Sequence, residues 1–289
     1  MEKLLWKLRT SKVLNKVLEM FRYVGFDKFF LRIINKWFYE HPTKAMYESR
    51  EYFEKEKDRL ENIVSILEDE KSKEIFSSLI EFRQTMNYKI HPGMELPQYF
   101  PSGVFNLTKD EVFIDCGGYI GDTTLEFIKQ TNNCYKKIIM FELDVLLKDK
   151  ISNNIKGCHN VEWVQAGVYS ETTVLSFDAT GGSISRIVDG ISEEDGNLIK
   201  ISVKAIDDCE ECREATFIKM DLEGSEMDAL HGAENTIKNN KPKLAICIYH
   251  SDADMIQIIE YIHALVPEYK IYVRHHSTCY AETVMYAVV

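Results

Sequence analysis

The chain has 289 residues, and 45% of them are hydrophobic, which is enough for a sizeable core. Its formal net charge of -11 argues against a general nucleic-acid-binding protein, because such proteins present a basic face. No run approaches the roughly 18 apolar residues of a membrane span. The first residues lack the apolar core of a signal peptide, and the seven scattered cysteines are typical of reduced thiols. These features predict a cytoplasmic protein.

Residues 1–40 have the periodicity of an amphipathic helix with a basic face, since they carry nine Lys and Arg against four Asp and Glu. One interpretation is an interfacial helix that touches an anionic membrane or a partner enzyme. The other is an ordinary helix packed on the rest of the chain. Residues 43–88 predict one or two further helices, and the His91-Pro92-Gly93 run ends that pattern. We therefore predict an N-terminal helical region over 1–100 and a second domain over 104–289.

Strands and helices alternate from residue 104 onward, which predicts an α/β fold with a mostly parallel sheet covered on both faces. Helices are predicted at about 122–131, 145–155, 225–239 and 252–265. The predicted strands are 111–116, 137–143, 160–166, 216–221, 243–249, 270–275 and 282–288. The stretch 168–208 is longer than an ordinary connection and holds β-patterned pieces at 174–177 and 201–203. Its Gly/Ser-rich loop, 178–190, is a candidate to fold over an acceptor.

A glycine-rich turn follows the first predicted strand. Its glycines do not have the G-x-G-x-x-G spacing of dinucleotide enzymes, so a nucleotide-dependent oxidoreductase is disfavoured. An acid also stands where the chain enters the turn. It would repel a pyrophosphate, but it suits a ligand with an amine and a cationic sulfonium. The D-x-G-x-x-x-G pattern therefore predicts S-adenosylmethionine, held by Asp115, Gly117, Gly118, Gly121, Asp122 and Thr123.

The second predicted strand runs into Glu142 and then Asp144. Glu142 lies 21 positions after Gly121, close to the spacing of about 20 for an acid that binds a ribose. A carboxylate at that place can accept hydrogen bonds from both ribose hydroxyls. We predict that Glu142 and Asp144 bind the cofactor, although Asp144 fits a solvated acid equally well.

The fourth long strand, near 216–221, carries Lys219 and ends in acids. A central parallel strand should be almost wholly apolar, so Lys219 either pairs with a carboxylate or reaches an edge of the sheet. Asp221 and Glu223 follow, at the end of the strand where ligands bind in such sheets. One of them could act as a base on an acceptor hydroxyl. The alternative is that Asp221 and Ser225 only cap and order the turn.

Two further strands run into histidines, which titrate near working pH and can take a proton from a hydroxyl. His250 follows the fifth long strand, and His275 and His276 end the sixth. His250 is the first choice for the base, because its strand should be central. A metal site built from His250, His275, Asp221 and Glu223 is conceivable, but no ligand spacing supports it, and we predict none.

These motifs together resemble the FkbM family of S-adenosylmethionine-dependent methyltransferases. The resemblance rests on V-F-I-D-C-G-G (112–118) with Gly121-Asp122-Thr123, on F-E-x-D (141–144), and on I-D-D (206–208) before F-I-K-M-D-L-E-G-S-E (217–226). It is extended by K-P-K-L-A-I-C-I-Y-H (241–250) and by Arg274-His275-His276. In total it covers roughly 180 residues in the right order. Leu143 stands where the family usually has proline.

The resemblance implies a Rossmann-like fold of the class I methyltransferase type, with a final antiparallel strand, and O-methyl transfer to a hydroxyl. By position, Asp115, Gly117 and Gly121 would hold the methionine part of the cofactor, Glu142 the ribose, and Asp221 with Glu223 the methyl side. The acceptor would be a sugar, a glycan precursor or a secondary metabolite, with no nucleic-acid partner. The alternative is a non-catalytic cofactor-binding scaffold in surface-glycan assembly.

Overall fold

The computed structural model describes residues 44–87, 89–178 and 198–289. The basic segment 1–40 therefore lies outside the described residues, and so does the 178–190 loop from residue 179 onward. Three helices open the described chain: α1 (Lys44–Lys55), α2 (Lys57–Ile66) and α3 (Glu70–Thr85). No helix in the described ranges combines the length and apolarity needed to cross a membrane.

Seven strands form the main sheet, and their positions confirm the predicted ones to within two residues at either end. Their order in space is β3-β2-β1-β7-β8-β10-β9. The five strands from β3 to β8 in this order pair in parallel, and β10 is antiparallel to both of its neighbours, β8 and β9. This confirms the Rossmann-like arrangement. The strands are β1 (Val112–Cys116), β2 (Lys137–Phe141), β3 (Val161–Val164), β7 (Phe217–Met220), β8 (Lys243–Cys247), β9 (Lys270–His275) and β10 (Thr283–Val288).

A second, three-stranded sheet occupies the long connection between β3 and β7. It consists of β4 (Gly167–Val168), β5 (Thr173–Asp178) and β6 (Leu198–Lys204), in the order β4-β6-β5. β5 and β6 are antiparallel, with Thr173 opposite Val203. The β-patterned pieces predicted within 168–208 are thereby confirmed.

Five helices cover the main sheet: α4 (Asp122–Gln130), α5 (Lys148–Asn154), α6 (Glu226–His231), α7 (Glu234–Asn240) and α8 (Asp254–Leu265). The prediction of one helix over 225–239 was wrong, because the chain breaks between α6 and α7. A Cβ on Gly232 would lie 2.0 Å from the Tyr169 carbonyl oxygen, so this turn fits against the neighbouring backbone without a side chain. Asp207 then caps α7 by accepting from the Asn235 and Thr236 amides.

The predicted helix 145–155 is also divided. Asp144 accepts a hydrogen bond from the Leu146 amide and starts a short 3-10 turn, Val145–Leu147, before α5 begins. Short side chains with an oxygen compete for nearby amides in this way and favour such tight starts.

The helices before residue 86 share the hydrophobic core of the sheet. Phe53, Ile63 and Phe76 belong to the same buried cluster as Ile271 and Val273 of β9. Asp69 caps α3 by accepting from the Ser72 amide at 2.7 Å and pairs with Arg274 of β9 at 2.6 Å. The helical region thus packs on the sheet, and a domain boundary near residue 104 stays a prediction.

Arg83, near the end of α3, is buried and reaches the far end of β8. Its guanidinium pairs with Asp252 at 2.7 Å and donates to the Tyr249 carbonyl at 2.7 Å and the Tyr280 carbonyl at 3.3 Å. It therefore joins α3 to the two loops that follow β8 and β9.

Candidate active site

A cavity of about 1350 Å³ opens at the carboxyl ends of β1, β2, β7 and β8. This is the edge at which open α/β sheets bind ligands. The small sheet contributes Gly167, Leu175 and Ile201 to its wall. Among the residues predicted to bind the cofactor or to act in catalysis, those that line it are Gly117, Asp122, Thr123, Glu142, Asp144, Asp221 and Glu223.

Asp115 does not line the cavity but lies beneath it, fully buried. Its Oδ2 accepts from the Thr124 hydroxyl at 2.8 Å, and its Oδ1 lies 3.2 Å from Nζ of Lys219. Lys219 also donates to the carbonyls of Cys116 and Gly117 at 3.2 and 2.7 Å. Of the two alternatives for this lysine, the structure selects the pairing with a carboxylate. Burial lowers the pKa of Lys219, but the negative charges of Asp115 and Asp221 raise it by more than that, so the amine is charged.

The glycine turn is pressed against the ends of neighbouring strands. A Cβ on Gly117 would lie 1.9 Å from the Asp221 carbonyl oxygen, and one on Gly118 would lie 2.2 Å from Cγ of Met140. Gly117 also has a φ of +78°, and Gly121, with a φ of +84°, precedes the first residue of α4. Gly118 and Gly121 are buried. Glycine is thus required here so that the backbone of Gly117 and Tyr119 can border the cavity.

Glu142 follows β2 and is held by two backbone amides. Its Oε2 accepts from the Tyr119 amide at 2.9 Å, and its Oε1 accepts from the Asp144 amide at 2.8 Å. Both oxygens keep further lone pairs, and the side chain borders the cavity. Asp144 uses its own Oδ1 to cap the 3-10 turn. Glu142 is therefore the better placed of the two acids to bind a ligand.

Asp221 follows β7 and receives two tyrosine hydroxyls. Tyr99 donates to its Oδ2 at 2.8 Å, and Tyr249 donates to its Oδ1 at 3.2 Å. Burial raises the pKa of Asp221, but Lys219, His250 and the two tyrosines lower it below its ordinary value. The carboxylate is therefore ionised where it meets the cavity. Glu223, two residues on, is exposed and has a left-handed φ of +55°.

His250 lies among three carboxylates. Its Nδ1 is 3.0 Å from Oε1 of Glu226, and its Nε2 is 3.5 Å from Asp221 and 3.6 Å from Glu223. Neither ring nitrogen makes a well-aligned hydrogen bond within the described chain. Burial lowers the pKa of His250, but Glu226, Asp221 and Glu223 together raise it to about 8. The ring sits behind Asp221 and Glu223 rather than in the cavity wall itself.

Glu226 is a functional candidate that the sequence analysis did not single out. It is fully buried and accepts from the Leu222 and Gly224 amides at 2.6 and 3.0 Å, so it fixes the turn after β7 as well as His250. The available signal was a glutamate one residue after Ser225, at the start of a helix. Tyr99, Tyr249 and Glu282 also border the cavity and were missed, because nothing in their local sequence marks them.

His275 and His276 do not join this cluster. His275 is buried beside His91, with 3.2 Å between their Nε2 atoms, and its Nδ1 meets the Thr283 hydroxyl. His276 bonds to the Glu95 carbonyl and the Tyr286 hydroxyl. β8 and β9 run in the same direction, so these histidines do stand at one edge of the sheet, but His275 contacts His91 and Thr283 and is not among the described groups of possible metal ligands. Asp221, Glu226 and His250 do place possible ligand atoms within 4.8 Å of one another, and a protonated His250 already supplies a positive charge there.

The sequence model of the Methyltransferase FkbM domain matches residues 115–271, which is more than half of the chain. Among solved structures, a methyltransferase FkbM from Methylobacillus flagellatus KT is 26% identical, with a TM-score of 0.68. The similarity covers 81% of this chain and 59% of that one, so the chain spans less than two thirds of that protein's length. No curated protein matches the sequence.

Two more distant structures were also found. An rRNA methylase from Streptococcus thermophilus is 14% identical, covers 63% of this chain and 87% of its own, and has a TM-score of 0.40. Aeropyrum pernix fibrillarin, in complex with natively bound S-adenosyl-L-methionine, is 11% identical, covers 64% and 70%, and has a TM-score of 0.39. Likeness at these scores indicates nothing about activity.

The family match begins at Asp115 and includes the glycine turn, Glu142, Asp221 and His250. It therefore covers the parts of the chain that build most of the cavity described above. The family and the fold support S-adenosylmethionine as the cofactor. The chain belongs to the FkbM family of methyltransferases.

Proposed function

We propose that the protein is an S-adenosylmethionine-dependent O-methyltransferase that modifies a hydroxyl of a sugar, a glycan precursor or a secondary metabolite. The observation that carries this proposal is the cluster of Asp221, Glu223 and His250, which joins an ionised carboxylate on the cavity wall to a titratable ring behind it. An acceptor hydroxyl needs such groups, because its proton must leave as the new bond forms.

The residues on the β1 and β2 side fit the cofactor. When bound, the cofactor supplies an electrophilic methyl group. Glu142 would accept from its ribose hydroxyls, since the Tyr119 and Asp144 amides already orient the carboxylate. The backbone at Gly117 borders the cavity and would meet the methionine part, while Asp115 holds the turn from below through Lys219 and Thr124. Asp122 and Thr123 border the same side.

The residues after β7 and β8 are suited to the acceptor. Asp221 faces the cavity and would accept the hydrogen bond of the reacting hydroxyl, with the Tyr99 and Tyr249 hydroxyls fixing its orientation. His250 has the pKa closest to working pH, so the proton would finally reside on its Nε2, relayed through Asp221 or Glu223. Glu226 is a positioning residue, since it acts through the ring of His250.

A methyl-transfer assay over a panel of sugars, oligosaccharides and hydroxylated small molecules tests this proposal, with S-adenosylhomocysteine formation as the readout. The Asp221→Asn, Glu223→Gln and His250→Gln variants should bind the cofactor and lose turnover, whereas Glu162→Gln on β3 should keep it. Cofactor binding without transfer to any acceptor would instead favour the non-catalytic scaffold. Full turnover by all three site variants would show that the acceptor reacts elsewhere.

A further inference from the structure

The acceptor end of the cavity has a second wall that the proposed chemistry does not use. Leu96, Pro97, Gln98, Phe100 and Glu282 belong to it, next to Tyr99, whose hydroxyl contacts Asp221. Gln98 donates to Oε2 of Glu282 at 2.6 Å, which fixes that carboxylate in place. Glu282 also has a left-handed φ of +63°. The backbone at Glu282 is therefore held in this conformation by its surroundings rather than by its own preference.

Three carboxylates, those of Asp221, Glu223 and Glu282, thus border one end of the cavity. Burial raises the pKa of Glu282, and the negative charges of Asp221 and Glu223 raise it further. A bound ligand that brings hydrogen-bond donors or positive charge would relieve the repulsion between these acids. Any anion that entered would add to the same repulsion.

The described basic side chains that line the cavity are already paired. The lysines among its described lining residues are Lys129 and Lys219, and no arginine is among them. Lys219 is buried against Asp115 and two carbonyls, and Lys129 pairs with Glu126 at 3.1 Å. Phosphate recognition relies on arginine, lysine or unpaired amides; of the two described lining lysines, Lys219 is buried in its ion pair and Lys129 belongs to α4, on the side assigned to the cofactor.

A positive charge on His250 does not outweigh the carboxylates at the acceptor end of the cavity. Its ring is nine-tenths buried, its nitrogens make no well-aligned hydrogen bond in the described chain, and its Nε2 points to Asp221 and Glu223. Even as a cation it is surrounded by three carboxylates, including Glu226. Lys219 is matched by Asp115 and a protonated His250 by Glu226, so among the described residues the charges of Asp221 and Glu282 keep the acceptor end negative even without Glu223.

We propose that the unit that receives the methyl group carries no phosphate or carboxylate, and that its free hydroxyl or amine groups donate hydrogen bonds to Glu282 and Asp221. Glu282 and Gln98 are then the residues that set this preference. The inference rests on the proposed function, because it names the acceptor class of the same site.

Matched forms of the same sugars test it: the neutral sugar, its amino form, its phosphate ester and its uronic acid. Binding to the cofactor-loaded protein is measured by calorimetry beside methyl transfer. The neutral or amino form should bind about tenfold or more tightly than the anionic forms, because like charges disfavour the latter. Glu282→Gln should reduce the ratio between the Kd of the anionic forms and the Kd of the neutral or amino forms. Glu210→Gln, an exposed carboxylate away from the cavity, should leave it unchanged.

Tighter binding or faster methylation of an anionic form would overturn the inference and leave methyl transfer intact. A ratio that Glu282→Gln does not alter would overturn the role of that residue. If no neutral or amino form binds while the same preparation binds S-adenosylmethionine, the acceptor class is wrong and the cofactor half of the proposed function stands. If the cofactor fails to bind as well, the proposed function itself fails.

Discussion

Nζ of Lys219 lies 3.2 Å from Oδ1 of Asp115, and both side chains are almost completely buried. Removing one partner leaves the other charge buried and unpaired, so Lys219→Met should lower the free energy of unfolding by about 3–5 kcal/mol. Urea denaturation measures this, with Lys136→Met as the control, because the Lys136–Glu214 pair is exposed and should contribute less than about 1 kcal/mol. Equal losses in the two variants would show that the buried pair has no special role.

The glycine turn allows a matched test of crowding. Gly117→Ala places a Cβ against the Asp221 carbonyl, whereas Gly157→Ala has a similar φ of +84° and nothing within 4 Å. Both variants should suffer the backbone strain of roughly 1–2 kcal/mol. Gly117→Ala should lose about 1–3 kcal/mol more, since overpacking adds to it, together with cofactor affinity. Thermal denaturation and calorimetry with S-adenosylmethionine report the two effects. Similar stability of the two variants would mean that the turn relaxes away from β7.

Glu142→Gln keeps the shape of the side chain but removes its charge. Hydrogen bonds to a charged group contribute about 1.5–3 kcal/mol, so the Kd for S-adenosylmethionine should rise about tenfold or more. Calorimetry measures it, and Glu162→Gln, on the neighbouring strand β3 and paired with Lys137, is the control. An unchanged Kd in Glu142→Gln would refute the ribose assignment.

The activity should depend on pH through His250. Its pKa is raised to about 8, and only the neutral ring can take up a proton. We therefore expect kcat/KM to rise about tenfold per pH unit below that value and to level off above it. His250→Gln should flatten the profile as well as lower it. A wild-type profile that is already flat between pH 6 and pH 8 would exclude His250 as the proton acceptor.

The free energy of unfolding should fall as the pH rises, whereas kcat/KM should increase. Because the pKa of His250 is higher in the folded protein than its ordinary value of 6.5, the charged ring stabilises the fold. This contribution is fully present below about pH 6.5 and is lost as the pH rises through about 8. It amounts to on the order of 1–2 kcal/mol. Urea denaturation of the wild type and His250→Gln across that range should show the difference, whereas parallel curves would contradict it.

Much of the fold could be predicted because its signals are local. Alternating apolar runs placed all seven main strands, and the glycines of the first turn stand where the backbone closes against β7. The divided helices were missed because their causes are remote. The break at Gly232 depends on the Tyr169 carbonyl, which no pattern within 225–239 reveals.

The site residues likewise fall into those that the local sequence predicts and those that only contacts between distant segments place. Glu142 and Asp221 follow directly from the ends of strands, so their place at the cavity could be predicted. Asp115 is the residue before the last of β1, but Lys219 and Thr124 hold it below the surface. Tyr99 reaches Asp221 from 122 residues away, and the separation of His275 from His250 depends on how β9 pairs at the far edge. Contacts of this kind arise from packing between distant segments.

The contacts of Arg83 bear on how an upstream segment can influence chemistry. The Tyr249 carbonyl that it holds belongs to the residue before His250, and the Tyr280 carbonyl lies two residues before Glu282. One guanidinium on α3 therefore joins the loop that carries His250, the proposed proton acceptor, to the loop that carries Glu282, the residue proposed to select the substrate. A shift of α3 must either break these hydrogen bonds or carry both loops with it. A movement of α3 would therefore be transmitted to the cavity, although no side chain of α1, α2 or α3 lines it.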